Sequence, residues 1–178
     1  QFIPATMVTT DSQEALDFIQ KHEQVVLKPL YEYGGKGIFT LYNQDPNSQA
    51  LLEFYTNAYP EGFMLQKYLK EVKEGDKRII LIEGKPVGTF LRKPQINQIR
   101  SNLRVGGTAV PSELTKKDYE ICEAMKPFLQ QWGLYLVGLD IIGDFLTEIN
   151  VTSPTGFVTL EKLYAINAAC TFWENLGV

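Results

Sequence analysis

The chain has 178 residues, 44% of them hydrophobic and 21% charged, with a formal net charge of −4. That length suffices for one large domain or two small lobes sharing a cleft, and the composition is that of an ordinary globular protein. The acidic balance, with no Lys/Arg block, argues against a nucleic-acid surface, and no apolar run approaches a membrane span.

Cys122 and Cys170 are the two cysteines. They make no disulfide framework, so a reducing compartment, the cytoplasm, is expected. The start carries no signal-peptide pattern. The chain opens on Gln1-Phe2-Ile3-Pro4 as if mid-chain, and is read as a fragment of a longer protein, though a processed or trimmed terminus looks the same.

Thr10-Asp11-Ser12 offers a cap, and Ala15, Leu16, Phe18 and Ile19 follow at helical spacing, which predicts a helix over about 11–21. Val25-Val26-Leu27-Lys28 is a short strand closed by Pro29. Tyr33-Gly34-Gly35-Lys36-Gly37 comes next, then a strand at Ile38 to Tyr42. Three glycines in four residues let a backbone approach a ligand closely, and N–H groups in such a turn cradle phosphate oxygens. Lys36 and Lys28 add positive charge. The segment matches neither the Walker pattern nor the dinucleotide fingerprint, and from the residues alone a plain glycine-rich hairpin turn is the favoured reading.

Pro46 to Tyr59 reads as a helix with Leu51, Leu52, Phe54 and Tyr55 inward, and Phe63 to Leu69 as a strand. Glu71 to Asp76 is charged and turn-like. Arg78 to Ile82 and Val87 to Lys93 form a hairpin around Glu83-Gly84-Lys85-Pro86. Pro94 to Pro111 is irregular and carries Arg100, Asn102, Arg104 and Gly106-Gly107. Its arginines suit a carboxylate or phosphate held by paired hydrogen bonds, or a solvated surface. A helix from Leu114 to about Trp132 has the stripe Ile121, Met125, Phe128 and Leu129, with Cys122 in or beside it. A last helix is expected at about 158–176, with Cys170 packed inward.

Between those helices Val137 to Thr155 reads as a tight hairpin. Glu148 and Asn150 are two apart, so on a strand they share a face. Asp140 joins that face if it pairs opposite Glu148, which a three-residue loop, Gly143-Asp144-Phe145, achieves. Two carboxylates and a carboxamide make a hard oxygen site suited to Mg2+; the alternative is a surface hairpin with polar residues facing water. His22 is the only histidine, which excludes a Ser-His-Asp triad or a multi-histidine zinc site within this chain. A phosphate-holding turn, basic residues and an acidic oxygen site suit phosphoryl transfer.

Val26-Leu27-Lys28-Pro29, the glycine turn, Gln66-Lys67-Tyr68-Leu69, Gly75-Asp76-Lys77-Arg78, Arg100-Ser101-Asn102, Gly106-Gly107 and the run from Val137-Gly138-Leu139-Asp140 to Thr147-Glu148-Ile149-Asn150-Val151-Thr152-Ser153-Pro154-Thr155 occur in that order. This order resembles the bacterial glutathione synthetases, which are ATP-grasp ligases, over nearly the whole chain. The resemblance implies an α+β ATP-grasp fold, two lobes with ATP bound between them: a nucleotide lobe at about 1–68 and a metal and substrate lobe at about 69–178. It implies Lys28 and the 33–37 turn (Tyr33, Gly34, Gly35, Lys36, Gly37) over the phosphates, and Gln66, Lys67, Tyr68 and Leu69 beside the adenine.

It further implies Asp140, Glu148 and Asn150 on Mg2+, with Mn2+ as the alternative ion. Arg100 and Arg78 would stabilise the tetrahedral oxyanion, with Asn102, Gly106, Gly107, Ser153 and Thr155 toward the substrates. The 94–105 stretch would be a lid that excludes water from an acyl phosphate. The implied reaction joins γ-glutamylcysteine to glycine with ATP, giving glutathione, ADP and phosphate. The implied partners are small molecules, with no nucleic acid or membrane, and a homo-oligomer for the full-length parent.

The departures fall on the substrate side. The family has Arg-Gly-Asn where this chain has Arg100-Ser101-Asn102, and Gly-Gly-Glu where it has Ile96-Asn97-Gln98. Gly156-Phe157-Val158 stands where a basic and an acidic residue are expected. Two other readings therefore stay open: an ATP-grasp ligase for a different acid and amine, and a nucleotide-binding fragment without turnover.

Overall fold

The structure, a computed structural model, describes residues 1–32, 34–95 and 106–177. Tyr33, Arg100, Asn102, Arg104 and most of the expected lid lie outside the described residues. The chain forms two compact units, one of residues 3–70 and one of residues 1–2 with 71–178.

The first unit holds β1 (Thr6–Thr9), α1 (Ser12–His22), β2 (Gln24–Pro29), β3 (Phe39–Tyr42), α2 (Ser48–Ala58) and β4 (Phe63–Lys67). Its antiparallel sheet runs β1-β4-β2-β3. Helix α1 starts where Asp11 accepts from the N–H groups of Gln13 and Glu14, satisfying two orphan donors. Both helices lie on one sheet face and close a core of Ala15, Phe18, Ile19, Val25, Leu27, Leu41, Leu52, Tyr55, Phe63 and Leu65. Strand alternation turns Val26, Lys28 and Gln66 to the other face. Phe54, expected inward, is 61% exposed; α2 covers the sheet with Leu52 and Tyr55, and Leu51 packs at the margin.

The second unit is built on β5 (Asp76–Ile82), β6 (Lys85–Lys93), β7 (Thr108–Pro111), β8 (Leu136–Ile142) and β9 (Phe145–Asn150), in the order β7-β6-β5-β8-β9, all antiparallel. Asp76, expected in a turn, opens β5 and is buried. Helix α3 (Lys116–Gln131) starts from a capping box between Thr115 and Asp118. It covers one face of the sheet, packing Ile121, Cys122 and Leu129 on Ile79, Leu81, Val137, Leu139 and Ile141. Phe128, expected in that stripe, is 46% exposed and stacks on Trp132 at 5.9 Å instead.

The single helix expected at 158–176 is two: α4 (Phe157–Tyr164) and α5 (Ala168–Asn175). Ala165 takes a left-handed φ of 57° and ends α4, and the Asn167 side chain caps α5 by accepting from the Cys170 N–H. Cys170, expected in the packing, is exposed, with its Sγ 3.2 Å from Glu174 Oε1. Among the described residues no helix is long and apolar enough to cross a membrane.

Candidate metal and nucleotide site

The second face of the five-stranded sheet is divided along its strands. One part is apolar: Ile80 and Phe90 pack under Leu160 and Ala168 of the two short C-terminal helices. The other part is polar and lies on the same pleat. Arg78 sits directly opposite Asp140, Asp140 opposite Glu148, and Asp76 opposite Arg92. Cross-strand neighbours on one face are close enough to interact. Four strands thus gather two arginines and three carboxylates.

The hairpin reaches this pairing by a different route from the one the spacing predicts. Its loop is the two-residue turn Gly143-Asp144, because Ile142 pairs with Phe145. A bulge between Asp140 and Ile141 then restores the offset, with Thr147 as the additional residue and its hydroxyl donating to the Asp140 carbonyl at 3.1 Å. A short turn and a bulge give the register that a three-residue loop alone would give.

Asp140 is 1% exposed, Arg78 and Arg92 each 5%. Arg78 grips Asp140 as a fork: Nε on Oδ1, and Nη2 on Oδ2 at 2.8 Å. Arg92 Nη2 lies 2.9 Å from Asp140 Oδ2 and also donates to Asp76 Oδ2 at 2.5 Å. Burial by itself would raise the Asp140 carboxyl. Arg92 and Arg78 more than offset this and hold it below the usual carboxylate range. For Arg92 burial pulls downward, and Asp140 with Asp76 pushes it above an ordinary guanidinium. The cluster therefore keeps a full charge on Asp140 inside a dry sheet face.

These residues fit a hard divalent cation. Oδ1 of Asp140 accepts one hydrogen bond and keeps acceptor capacity. Asn150 directs its amide nitrogen to Gly138 O and Asp140 Oδ2, each at 3.3 Å, which leaves its carbonyl oxygen as a donor atom. Glu148 is exposed on the edge strand. All the donors are oxygen, as Mg2+ prefers, and substrate phosphates supply further oxygens when such ions bind nucleotides. No group of three or more His, Cys, Asp or Glu side chains placed to hold a metal ion by themselves occurs among the described residues, so a closed protein cage of the zinc type is absent there.

Ser153 and Thr155 lie on the segment that joins β9 to α4. Arg78 Nη1 donates to the Thr155 carbonyl at 3.0 Å. Gly138 allows this segment to lie flat on the sheet: a Cβ there would stand 3.0 Å from Pro154 Cβ and 3.3 Å from Arg78 Nη1. Gly106 and Gly107 lead into β7, with the Gln95 side chain against Gly106.

In the first unit Lys28 Nζ donates to Gln66 Oε1 at 2.5 Å, and Gln66 Nε2 donates to Thr6 Oγ1 at 3.1 Å. The Thr6 hydroxyl in turn donates to Pro4 O at 2.9 Å. A Thr whose proton is so committed accepts from Gln66, which fixes the amide with its oxygen toward Lys28. Lys67 N donates to Ala5 O and Tyr68 N to Gln24 O, which ties the Gln66–Leu69 stretch to both neighbouring strands. Lys36 Nζ pairs with Glu32 at 2.9 Å. Gly34, Gly35 and Gly37 hold φ of 68°, 79° and 68°, the left-handed region in which successive N–H groups can converge on an anion.

Sequence reasoning missed Arg92, Asp76 and Thr6. The signal for the first two was alternation: Asp76 and Arg78 are two apart on one strand, so both face the same way. Thr6 carried no such signal.

The model of the prokaryotic glutathione synthetase ATP-grasp domain matches residues 1–165. Glutathione synthetases of Brucella melitensis and Mesorhizobium japonicum are 47% and 45% identical over 97% of this chain. The match spans 55% of each, so the chain has about half the length of the curated relatives it matches. The ATP-grasp ligase PsnB, solved with a precursor variant, Mg and ADP, superposes with a TM-score of 0.67 at 16% identity, over 96% of this chain and 52% of that one. A D-alanine–D-alanine ligase from Bacillus anthracis does so with 0.67 at 13%, over 97% and 61%. At such identities the likeness is one of fold, but with the family match over most of the sequence the chain belongs to the ATP-grasp domain family of the prokaryotic glutathione synthetases.

Proposed function

We propose that this protein supplies the ATP-grasp part of a carboxylate–amine ligase of glutathione synthetase type. The observation that carries the reading is Asp140: a buried carboxylate held ionised by two arginines, beside Glu148 and Asn150 on one sheet face. A buried charge is costly, and such a cluster is expected where a charged ligand must be met.

In this reading Lys28 and the glycine turn meet the ATP phosphates, and Gln66 to Leu69 the adenine. Asp140, Glu148 and Asn150 hold Mg2+, which when bound offsets phosphate charge. The acid's carboxylate oxygen attacks the γ-phosphorus and ADP leaves. The amine nitrogen then attacks the acyl carbon, phosphate leaves with the bonding pair, and the amine's proton passes to water. Arg100 is assigned to the oxyanion of the second step. Arg78, engaged with Asp140 and Thr155, is assigned to orienting that carboxylate. Asn102, Gly106, Gly107, Ser153 and Thr155 are assigned to the substrates, γ-glutamylcysteine and glycine, in the cytoplasm.

A different acid or amine is favoured by one observation. Phe157, in the Gly156-Phe157-Val158 run that stands where a basic and an acidic residue are expected, packs into the apolar cluster under α4, its ring 6.4 Å from that of Phe172. The test is phosphate release from Mg-ATP with γ-glutamylcysteine and glycine, each omitted in turn, with the product's mass. Release that needs both, with the mass of glutathione, is expected. A ligated product of another mass moves the reading to another substrate pair, and no release with any acid and amine leaves a nucleotide-binding fragment.

A further inference from the structure

Tyr55 is the centre of the aromatic packing in the first unit. It is 1% exposed, with Tyr59, Phe63 and Phe39 at 5.0, 5.6 and 6.0 Å. A ring so enclosed has one orientation, and its buried hydroxyl needs a partner. It donates to the carbonyl of Gly37, the last residue of the glycine turn. The same residue is pressed onto the strand that carries Lys28: a Cβ at Gly37 would lie 2.9 Å from Pro29 Cγ and 3.3 Å from the Tyr59 hydroxyl.

We propose that Tyr55 is the positioning residue of the glycine-rich turn, fixing through Gly37 the direction of the backbone N–H groups that receive a nucleotide's phosphates. The inference rests on the ligase reading above. A trans peptide is planar, with its C=O and N–H opposed. Holding the Gly37 carbonyl on Tyr55 therefore points the Ile38 N–H away from the core. Burial first, and Tyr59 second, push the Tyr55 phenol above its ordinary range, so it remains a donor at working pH. Helix α2 thereby sets the turn from beneath, which a glycine-rich segment cannot do for itself, because glycine leaves its backbone free.

The test is equilibrium binding of AMP, ADP and ATP with Mg2+ to the wild-type protein and to Tyr55→Phe, by calorimetry. The variant keeps the ring and removes the donor. A role in aiming phosphate-binding groups predicts ATP and ADP weakened about five- to tenfold, the scale of one lost hydrogen bond, with AMP within about twofold of wild type. Gly37→Ala is the second variant: its Cβ meets Pro29 at a φ that side chains avoid, lifting the turn while leaving α2 unaltered. The same phosphate-dependent loss is expected, and it carries the test if Tyr55→Phe does not fold. Wild-type ATP affinity in the folded variants overturns the proposal, as does equal weakening of all three nucleotides, which marks a merely structural role. Failure of the wild-type protein itself to bind ATP brings down the ligase reading and the inference together, and is told apart because no variant is involved.

Discussion

Asp140 and Glu148 face one another across a hairpin, yet removing each should have different consequences. Glu148 is exposed and sits on the edge strand. Glu148→Gln should leave the unfolding midpoint unchanged within about 0.5 kcal/mol, as for most surface changes. It should lower Mg2+-dependent phosphate release by about an order of magnitude or more, since it removes charge from the proposed metal set. Wild-type turnover in that variant refutes the assignment. Arg92 is the opposite case. Arg92→Met removes the guanidinium that binds Asp76 and leaves Asp140 with Arg78 as its one arginine, and breaking such a buried pair costs about 3–5 kcal/mol. Urea unfolding should show it, and a loss below about 1 kcal/mol would mean that the arginine contributes little to the fold.

The thiols give a sharper residue-scale contrast. Cys122 is fully buried, and burial, then Asp118 and Glu123, push its thiol up to about 12. Cys170 is exposed, and its bond to Glu174 raises its thiol too. An aromatic disulfide reagent at pH 8 should therefore titrate one thiol in the native protein, slowly, and two after unfolding. The linkage sign follows from the raised value. The contribution of Cys122 to stability is complete below the thiol's unfolded pKa and is lost as pH rises through the folded one, so stability should fall above about pH 8.5. Cys122→Ala should flatten that fall, and an alkaline limb of equal slope in the variant would assign it to other groups.

At the scale of elements the hairpin shows what a sequence can and cannot disclose. Alternation put Glu148 and Asn150 on one face, an assumed three-residue loop set Asp140 opposite Glu148, and Asp140 and Glu148 do pair. The loop length was not legible, because a two-residue turn with a one-residue bulge produces the same offset as a three-residue turn. The C-terminal helix failed for a related reason: its apolar spacing continues through Ala165 with neither Gly nor Pro, and only the left-handed φ of 57° reveals the break. Arg92 and Asp76 were missed because charged residues on a strand ordinarily face water, and only the structure shows Arg92 paired with both Asp76 and Asp140. The segment after β9 yields the element-scale prediction. Gly138→Ala drives a methyl into Pro154 and Arg78, displacing Ser153 to Thr155. Overpacking of this kind costs about 1–3 kcal/mol. The KM for the acid should rise by more than that for ATP; an equal rise in both would detach the segment from substrate binding.

At the scale of the whole molecule, two compact units raise the question of where a ligand's stabilisation is felt. The tryptophans answer it, since Trp132 and Trp173, the only two, both lie in the unit of residues 71–178. Tryptophan emission therefore follows the unfolding of the unit that carries Asp140, Glu148 and Asn150, and is silent on residues 3–70. A ligand that binds only the folded state stabilises it by about 2.7 kcal/mol at a hundred times its dissociation constant. For a chain of this size that is a rise in Tm of about 5–10 °C. Mg-ATP should raise the tryptophan-reported midpoint by this amount, and chelation of Mg2+ with ATP retained should remove most of the rise, because the proposed metal set belongs to the reporting unit. Lys28, Gln66 and the glycine turn belong to the other. A shift that survives chelation unchanged would show that nucleotide acts on the tryptophan-bearing unit without the metal, and would take Asp140, Glu148 and Asn150 out of the nucleotide's binding energy.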